Sequence, residues 1–203
     1  LKLTTNLMTG TLPAQWSSLA SLKGVYISGN TGIGGELPRD LSTWLALEIF
    51  EANDCDFSGA LPAALPPTII QFRAKKSRLS GLIPDAWSRA SRMTKLELEG
   101  NVDVGGKFPD WVSTWPLIEL RASGCAFTGL PAALPPTLTK LYMAKNLLSG
   151  TIPELPRFIR EVHLEENKLT GSLPQEWSGR DKLDRLFFHT NPGLGGSLPS
   201  QWS

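Results

Sequence analysis

The stretch Val162-His163-Leu164-Glu165-Glu166-Asn167-Lys168-Leu169-Thr170-Gly171-Ser172-Leu173-Pro174-Gln175-Glu176-Trp177 decides the fold of this chain. Apolar residues alternate at 162 and 164, which is the pattern of a short strand with one buried face. An Asn follows three places later, then Leu, Gly, Leu-Pro and Trp. The same phrase recurs nine times. Its Asn-type position falls at Asn6, Asn30, Cys55, Ser77, Asn101, Cys125, Asn146, Asn167 and Asn191, at spacings of 24, 25, 22, 24, 24, 21, 21 and 24 residues. A fixed period of this length marks a solenoid of stacked turns.

The period runs from Leu1 to Trp202 of a 203-residue chain, so a single repeat domain over 1–203 is expected, its terminal repeats incomplete and without recognisable caps. Uncapped solenoid ends would offer end-to-end contacts. The formal net charge of +1 argues against nucleic acid or an anionic membrane surface as partner. No apolar run approaches the roughly 18–20 residues that insertion into a bilayer requires. No signal-peptide pattern opens the chain, because Leu1-Lys2-Leu3 already belongs to a repeat. The one basic cluster, Arg73, Lys75, Lys76 and Arg78, has acidic neighbours to neutralise it.

Counting from the Asn-type position n, residues n−5 and n−3 are apolar in nearly every copy, as in Phe50/Ala52, Leu96/Leu98 and Val162/Leu164. A period near 24 residues predicts one strand per turn, and stacked turns must pair those strands in parallel, about 4.8 Å apart. The Asn amide suits the corner where the chain leaves the strand, since it can both donate to and accept from backbone groups. Cys55, Ser77 and Cys125 are small enough to replace it. Glycine at n+4 (Gly10, Gly59, Gly81, Gly129, Gly150, Gly171) suits a left-handed backbone. Three copies, beginning at Asn30, Asn101 and Asn191, carry one extra residue before the Gly, which predicts a wider loop on one flank. Leu61–Pro67, Leu130–Pro136 and Ile152–Pro156 lack Trp and predict a polyproline-like back, whereas Trp16, Trp87 and Trp177 predict helical turns that tuck the indole into the core.

The chemistry-bearing residues are few. Cys55 and Cys125 stand three turns apart, roughly 14 Å by strand spacing. A disulfide needs less than about 7 Å, so two buried free thiols are expected. His163, Glu165 and His189 form the sharpest polar trio, able in principle to hold a metal or an acid/base pair, but an open sheet offers no water-excluding cleft. Neither an enzyme nor a cofactor is expected, and no metal site.

Positions between the buried ones point outward. Column n−4 reads Lys2, Tyr26, Glu51, Arg73, Glu97, Arg121, Tyr142, His163, Phe187, and column n−6 alternates in sign from Lys95 to Arg185. Opposite charges on adjacent strands favour the register. The ladder then gives way to an aromatic row, Tyr142, His163 and Phe187, with His189 and Glu165 beside it and Tyr26 at the far end. Exposed aromatics with no folding task are the anchors of interfaces. A protein partner on this face is the leading reading. Contact with a further C-terminal part of the same chain is the alternative.

The repeat Leu-x-Leu-x-x-Asn-x-Leu-Thr-Gly-x-Leu-Pro resembles the plant-type leucine-rich repeat of receptor-kinase ectodomains and polygalacturonase-inhibiting proteins. The continuation Leu-Pro-x-x-Trp-Ser, at Leu12 to Ser17 and Leu173 to Ser178, is similar to that of trypanosomatid promastigote surface antigens and proteophosphoglycan repeat domains. The resemblance implies a leucine-rich repeat solenoid of α/β-type horseshoe shape with nine repeats. Its parallel sheet would lie on the concave face and an irregular, 3-10 or polyproline-like back on the convex one. It further implies a secreted or cell-surface protein-recognition module without catalysis. Two rival functions stand beside that one, an inhibitor of a secreted enzyme and a structural stalk that displays other domains.

Overall fold

The computed structural model describes residues 1–200, so Trp202 lies outside the described residues. Eight three-residue strands, Gly24–Tyr26, Ile49–Glu51, Gln71–Arg73, Lys95–Glu97, Glu119–Arg121, Lys140–Tyr142, Glu161–His163 and Arg185–Phe187, form one parallel sheet in chain order. Lys2 adds a bridge to Tyr26 at its edge. Pairing advances by one repeat each time, so Glu51 meets Arg73, Arg73 meets Glu97 and His163 meets Phe187. The middle residue of each strand points into the core. Val25, Phe50, Phe72, Leu96, Leu120, Leu141 and Val162 are at most 1% exposed, and each such burial contributes roughly 1.5–3 kcal/mol. Phe50 and Phe72 stack at 5.3 Å on successive turns.

Each turn holds a second strand, contrary to the expectation of one. Thr9–Gly10, Gly32–Glu36, Asp56–Ala60, Arg78–Leu82, Asp103–Lys107, Ala126–Gly129, Ser149–Gly150, Lys168–Gly171 and Gly193–Leu194 form a nine-stranded parallel sheet. After the corner the chain runs level with its neighbours again, and backbone groups of adjacent turns satisfy one another there. Only one side chain of each strand need face inward, such as Phe57, Leu79, Phe127 or Leu169.

The three copies with an extra residue do not widen a loop. They absorb it in a β-turn directly after the corner, closed by N–H to C=O bonds from Ile33 to Asn30, Val104 to Asn101 and Leu194 to Asn191 at 3.0–3.1 Å. The turn delivers Ile33 and Val104 to the inward place. Gly34 then lies so close to the next turn that a Cβ there would come within 2.5 Å of the Asp56 carbonyl oxygen. Gly129 departs from the left-handed glycines at n+4, because pairing shifts register between Phe127 and Gly129.

The corner has two components. Position n−1 is left-handed in all nine turns, at Thr5, Gly29, Asp54, Lys76, Gly100, Gly124, Lys145, Glu166 and Thr190, with φ between 51° and 78°. That kink turns residue n inward. Asn167 then donates through Nδ2 to Leu164 O of its own turn and Met143 O of the preceding one, both at 3.0 Å. Its Oδ1 accepts from Leu148 N–H of the preceding turn at 3.0 Å. Asn30, Asn101, Asn146 and Asn191 repeat the pattern. Cys55 and Cys125 keep part of it, each thiol directed at a carbonyl of the preceding turn, Ile27 O at 3.4 Å and Leu98 O at 3.3 Å.

The back of the solenoid carries helical turns at the three copies where Trp predicts them, and no helix over residues 61–67, 130–136 or 152–156. Short 3-10 turns at Ala14–Ser18, Asp85–Arg89 and Gln175–Gly179 carry Trp16, Trp87 and Trp177. Trp87 is fully buried and donates Nε1–H to Pro62 O at 2.7 Å, and Trp177 stacks on Phe188 at 5.6 Å. Trp16 is only partly covered and meets Trp44 edge-on. A fourth 3-10 turn, Asp110–Thr114, buries Val112 instead.

Candidate functional site

The outward columns of the eight-stranded sheet carry a connected charge network. Arg73 bridges strands, with Nη1 donating to Glu51 at 2.6 Å and Nε to Glu97 at 2.8 Å. Lys95 lies 3.0 Å from Glu97 and 2.9 Å from Glu119, and Arg121 pairs with Glu119. Pairing therefore runs within strands as well as along each column. The basic cluster is neutralised as expected, with Lys75 and Lys76 on Asp54 and Arg78 on Asp56.

Arg121 links this network to the aromatic row. Its guanidinium carbon sits 4.1 Å from the Tyr142 ring centroid, within cation–π range. Tyr142 and His163 follow at 4.8 Å between centroids, and His163 and Phe187 at 4.3 Å with 26° between planes. Strand spacing alone would set about 4.8 Å, so the side chains stand upright and stack. The four groups form one stack across four strands.

Carboxylates fasten the stack along one side, at the polar ends of its rings. The Tyr142 hydroxyl donates to Glu161 at 2.7 Å. His163 lies between two acids, Nε2 at 2.9 Å from Glu161 and Nδ1 at 3.3 Å from Glu165. Hydrogen bonds from Tyr142 and His163 hold the Glu161 carboxyl down to about 2. Burial, then the adjoining Glu161, pushes the Tyr142 phenol up to about 12. The row thus has a folding role that the sequence reading did not grant it. Its last ring still faces solvent, with Phe187 36% exposed.

The remaining predicted residues divide. Glu165 joins the cluster through His163. His189 is exposed, and its carbonyl accepts from Glu166 N–H at 2.9 Å, which puts it in register beside Glu165. Both His163 nitrogens face carboxylates, and no group of three or more His, Cys, Asp or Glu among the described residues is arranged to hold a metal ion. Tyr26 is not brought to the cluster. It lies five strands away, folded over Gly24, where a Cβ would come within 2.5 Å of the ring. Sequence reading missed Arg121 and Glu161 as members. The outward columns already placed Arg121 beside Tyr142 and Glu161 one strand from it, which was the available signal. Cys55 and Cys125 are buried free thiols. Burial pushes both up, Cys125 to about 12.

No protein-family model matches the chain. It is 28% identical over 136 residues to Podocan of Mus musculus, an alignment that covers 63% of this chain and 21% of Podocan. The solved structure of a plant peptide hormone receptor, RGFR1 in complex with RGF2, superposes with a TM-score of 0.87 at 26% identity, over 98% of this chain and 33% of the receptor. A leucine-rich repeat protein of Leptospira interrogans shares the fold, with a TM-score of 0.69 at 23% identity over 95% of this chain and 49% of its own. The chain thus spans about a fifth of Podocan and a third of the receptor. These likenesses support the repeat class and reach no further into its branches. Among the described residues no helix is long and apolar enough to cross a membrane.

Proposed function

The chain is a leucine-rich repeat protein, and on that premise we propose that residues 1–203 form one extracellular or cell-surface recognition domain that binds a protein partner through its concave sheet. Tyr142, His163, Glu165, Phe187 and His189 make up the contact, with Tyr26 outlying. The observation that carries this reading is the stack Arg121–Tyr142–His163–Phe187, ending in an open aromatic ring. Rings fixed by stacking and by Glu161 lose little conformational freedom when a partner covers them, and rigid aromatic anchors contribute most to interfaces. The fold likeness to a receptor that holds a peptide hormone is in keeping with this use of the solenoid. The sequence likeness to Podocan is in keeping with the same class of protein.

The test compares two double substitutions against a partner captured on the wild-type protein from surface or secreted extracts. Phe187→Ala with His189→Ala removes the open end of the stack and leaves the carboxylates on Tyr142 and His163 in place. The melting curve should barely move, while affinity falls at least roughly tenfold. Lys2→Ala with Tyr26→Ala, at the far edge, should change affinity less. If the far-edge pair abolishes binding and the first pair does nothing, the recognition surface is elsewhere.

A further inference from the structure

A second surface lies on the flank where the chain enters the eight-stranded sheet. Thr139 N–H donates to Ile118 O at 2.9 Å and Arg160 N–H to Thr139 O at 2.8 Å, so Ile118, Thr139 and Arg160 occupy successive rungs. Two residues earlier in the same turns stand Pro116, Thr137 and Phe158, and Lys182 follows in the next turn. Between these rows runs a groove of about 360 Å³, lined by Ile118, Thr137, Thr139, Phe158, Arg160 and Lys182.

Phe158 is the residue that does not fit its place. At the same position Thr68 and Thr137 turn their hydroxyls back to the preceding turn, on Leu47 O at 2.8 Å and Leu117 O at 2.9 Å. Phe158 has no hydroxyl to turn back. The neighbouring Ile159 already fills the core, so the ring is left 48% exposed, and Ile118 across the groove is 49% exposed. Cations flank the ring, with Lys182 Nζ at 5.7 Å and the Arg157 guanidinium carbon at 6.0 Å from its centroid. On the eight-stranded sheet Arg73, Lys95, Arg121 and Arg185 all have carboxylates within 4 Å. No described carboxylate lies that close to Arg157, Arg160 or Lys182. The neighbouring Arg180 is held by Glu154 at 2.8 Å, Asp181 lines the adjoining hollow, and Asp184, on the rung after Arg160, is drawn to Arg185 at 3.8 Å.

Three unneutralised cations around a pair of open apolar side chains match a ligand with the complementary pattern. We propose that this groove docks an acidic segment of a partner protein. An apolar side chain of that segment seats between Ile118 and Phe158, and its carboxylates meet Arg157, Arg160 and Lys182. The charge is complementary and the centre is apolar, which favours a peptide over a sulfated polysaccharide, since the latter has nothing to set against Ile118 and Phe158. The proposal is independent of the concave-face reading.

The probe is a fluorescein-labelled peptide, Glu-Asp-Leu-Asp-Glu, titrated with the whole chain and followed by anisotropy, with heparin as competitor and as a separate ligand. Saturable binding is expected, weakened at least roughly tenfold by Phe158→Thr and by Lys182→Glu with Arg160→Glu, and unchanged by Phe187→Ala. Thr already serves at this position in two turns, so Phe158→Thr should keep the fold, which a melting curve verifies. Absence of saturable binding overturns the proposal. So does heparin or peptide binding that falls with the charge reversals but ignores Phe158→Thr, since that describes a general polyanion surface. Loss of peptide binding in Phe187→Ala overturns it as well, by moving the occupant to the aromatic row.

Discussion

Arg73 and Glu97 meet at 2.8 Å on adjacent strands, and Glu97 is the only acid among the described residues that is buried. Lys95 assists from the same strand, and Arg73 holds Glu51 with its other nitrogen. The substitution Arg73→Glu would set three acids on successive rungs, one of them with little water. Breaking such a pair costs more than an exposed salt bridge, here about 2 kcal/mol. The loss should shrink as salt is raised. Urea denaturation at low and high ionic strength measures both, and an unchanged midpoint at low salt would mean the network contributes nothing.

Acid should weaken the fold in a defined window. Burial alone would raise the carboxyls of Glu97 and Glu119, but hydrogen bonds from Arg73, Lys95 and Arg121 outweigh it and hold both below the ordinary value. Glu161 is lowered furthest, from 4.5 to about 2, by Tyr142 and His163. All three folded values lie below their unfolded ones. Their stabilisation is therefore complete above the unfolded value and is lost as pH falls through the folded values. Denaturation midpoints should drop from about pH 4.5 toward pH 2, and Glu161→Gln should flatten the lower part of that fall. A profile flat between those limits contradicts the ion network described for this face.

The left-handed corner makes a third expectation. At Gly124, φ is 65°, and an added Cβ would meet nothing closer than Gly100 Cα at 3.8 Å. Gly124→Ala therefore probes the backbone rather than packing, and should cost about 1 kcal/mol. Lys145 holds the same place one turn later with φ of 55°. Lys145→Gly relieves that strain while loosening the unfolded chain, and should change stability by less than about 0.5 kcal/mol. Thermal melts of the two variants decide it, and a neutral Gly124→Ala would show that the corner tolerates a side chain freely.

The eight-stranded sheet was legible because each strand and the residue just past it supply two inward side chains at alternate positions. Phe50 with Ala52, or Val162 with Leu164, writes the period of two directly into the sequence. The row from Tyr142 to Phe187 followed from the same count. The second sheet escaped because a strand such as Lys168–Gly171 sends one residue, Leu169, inward, and one residue has no period. The left-handed column escaped for a different reason. Its occupants range from Gly100 to Lys76 and Glu166, since the conformation is imposed by stacking and by the inward pull of residue n rather than by local preference. Stacking between rings likewise depends on rotamers, so the column count put Arg121 beside Tyr142 without showing that its guanidinium would cover the ring. Nor could it mark Phe158, whose exposure depends on Ile159 taking the core position.

The joints between turns are made with backbone atoms. Asn167 grips a carbonyl and an amide of the preceding turn, and any residue would supply these. A gene encoding such a chain can thus gain or lose whole turns without compensating changes at the corners. The sheet face imposes the stricter rule, because its charges alternate from strand to strand. Excising the turn that bears Glu97 would bring Arg73 against Arg121, whereas excising the turns of Arg73 and Glu97 together would set Glu51 against Arg121 and keep opposite signs in contact. Through the charged part of the sheet, growth and loss by copying are therefore tolerated in pairs of turns.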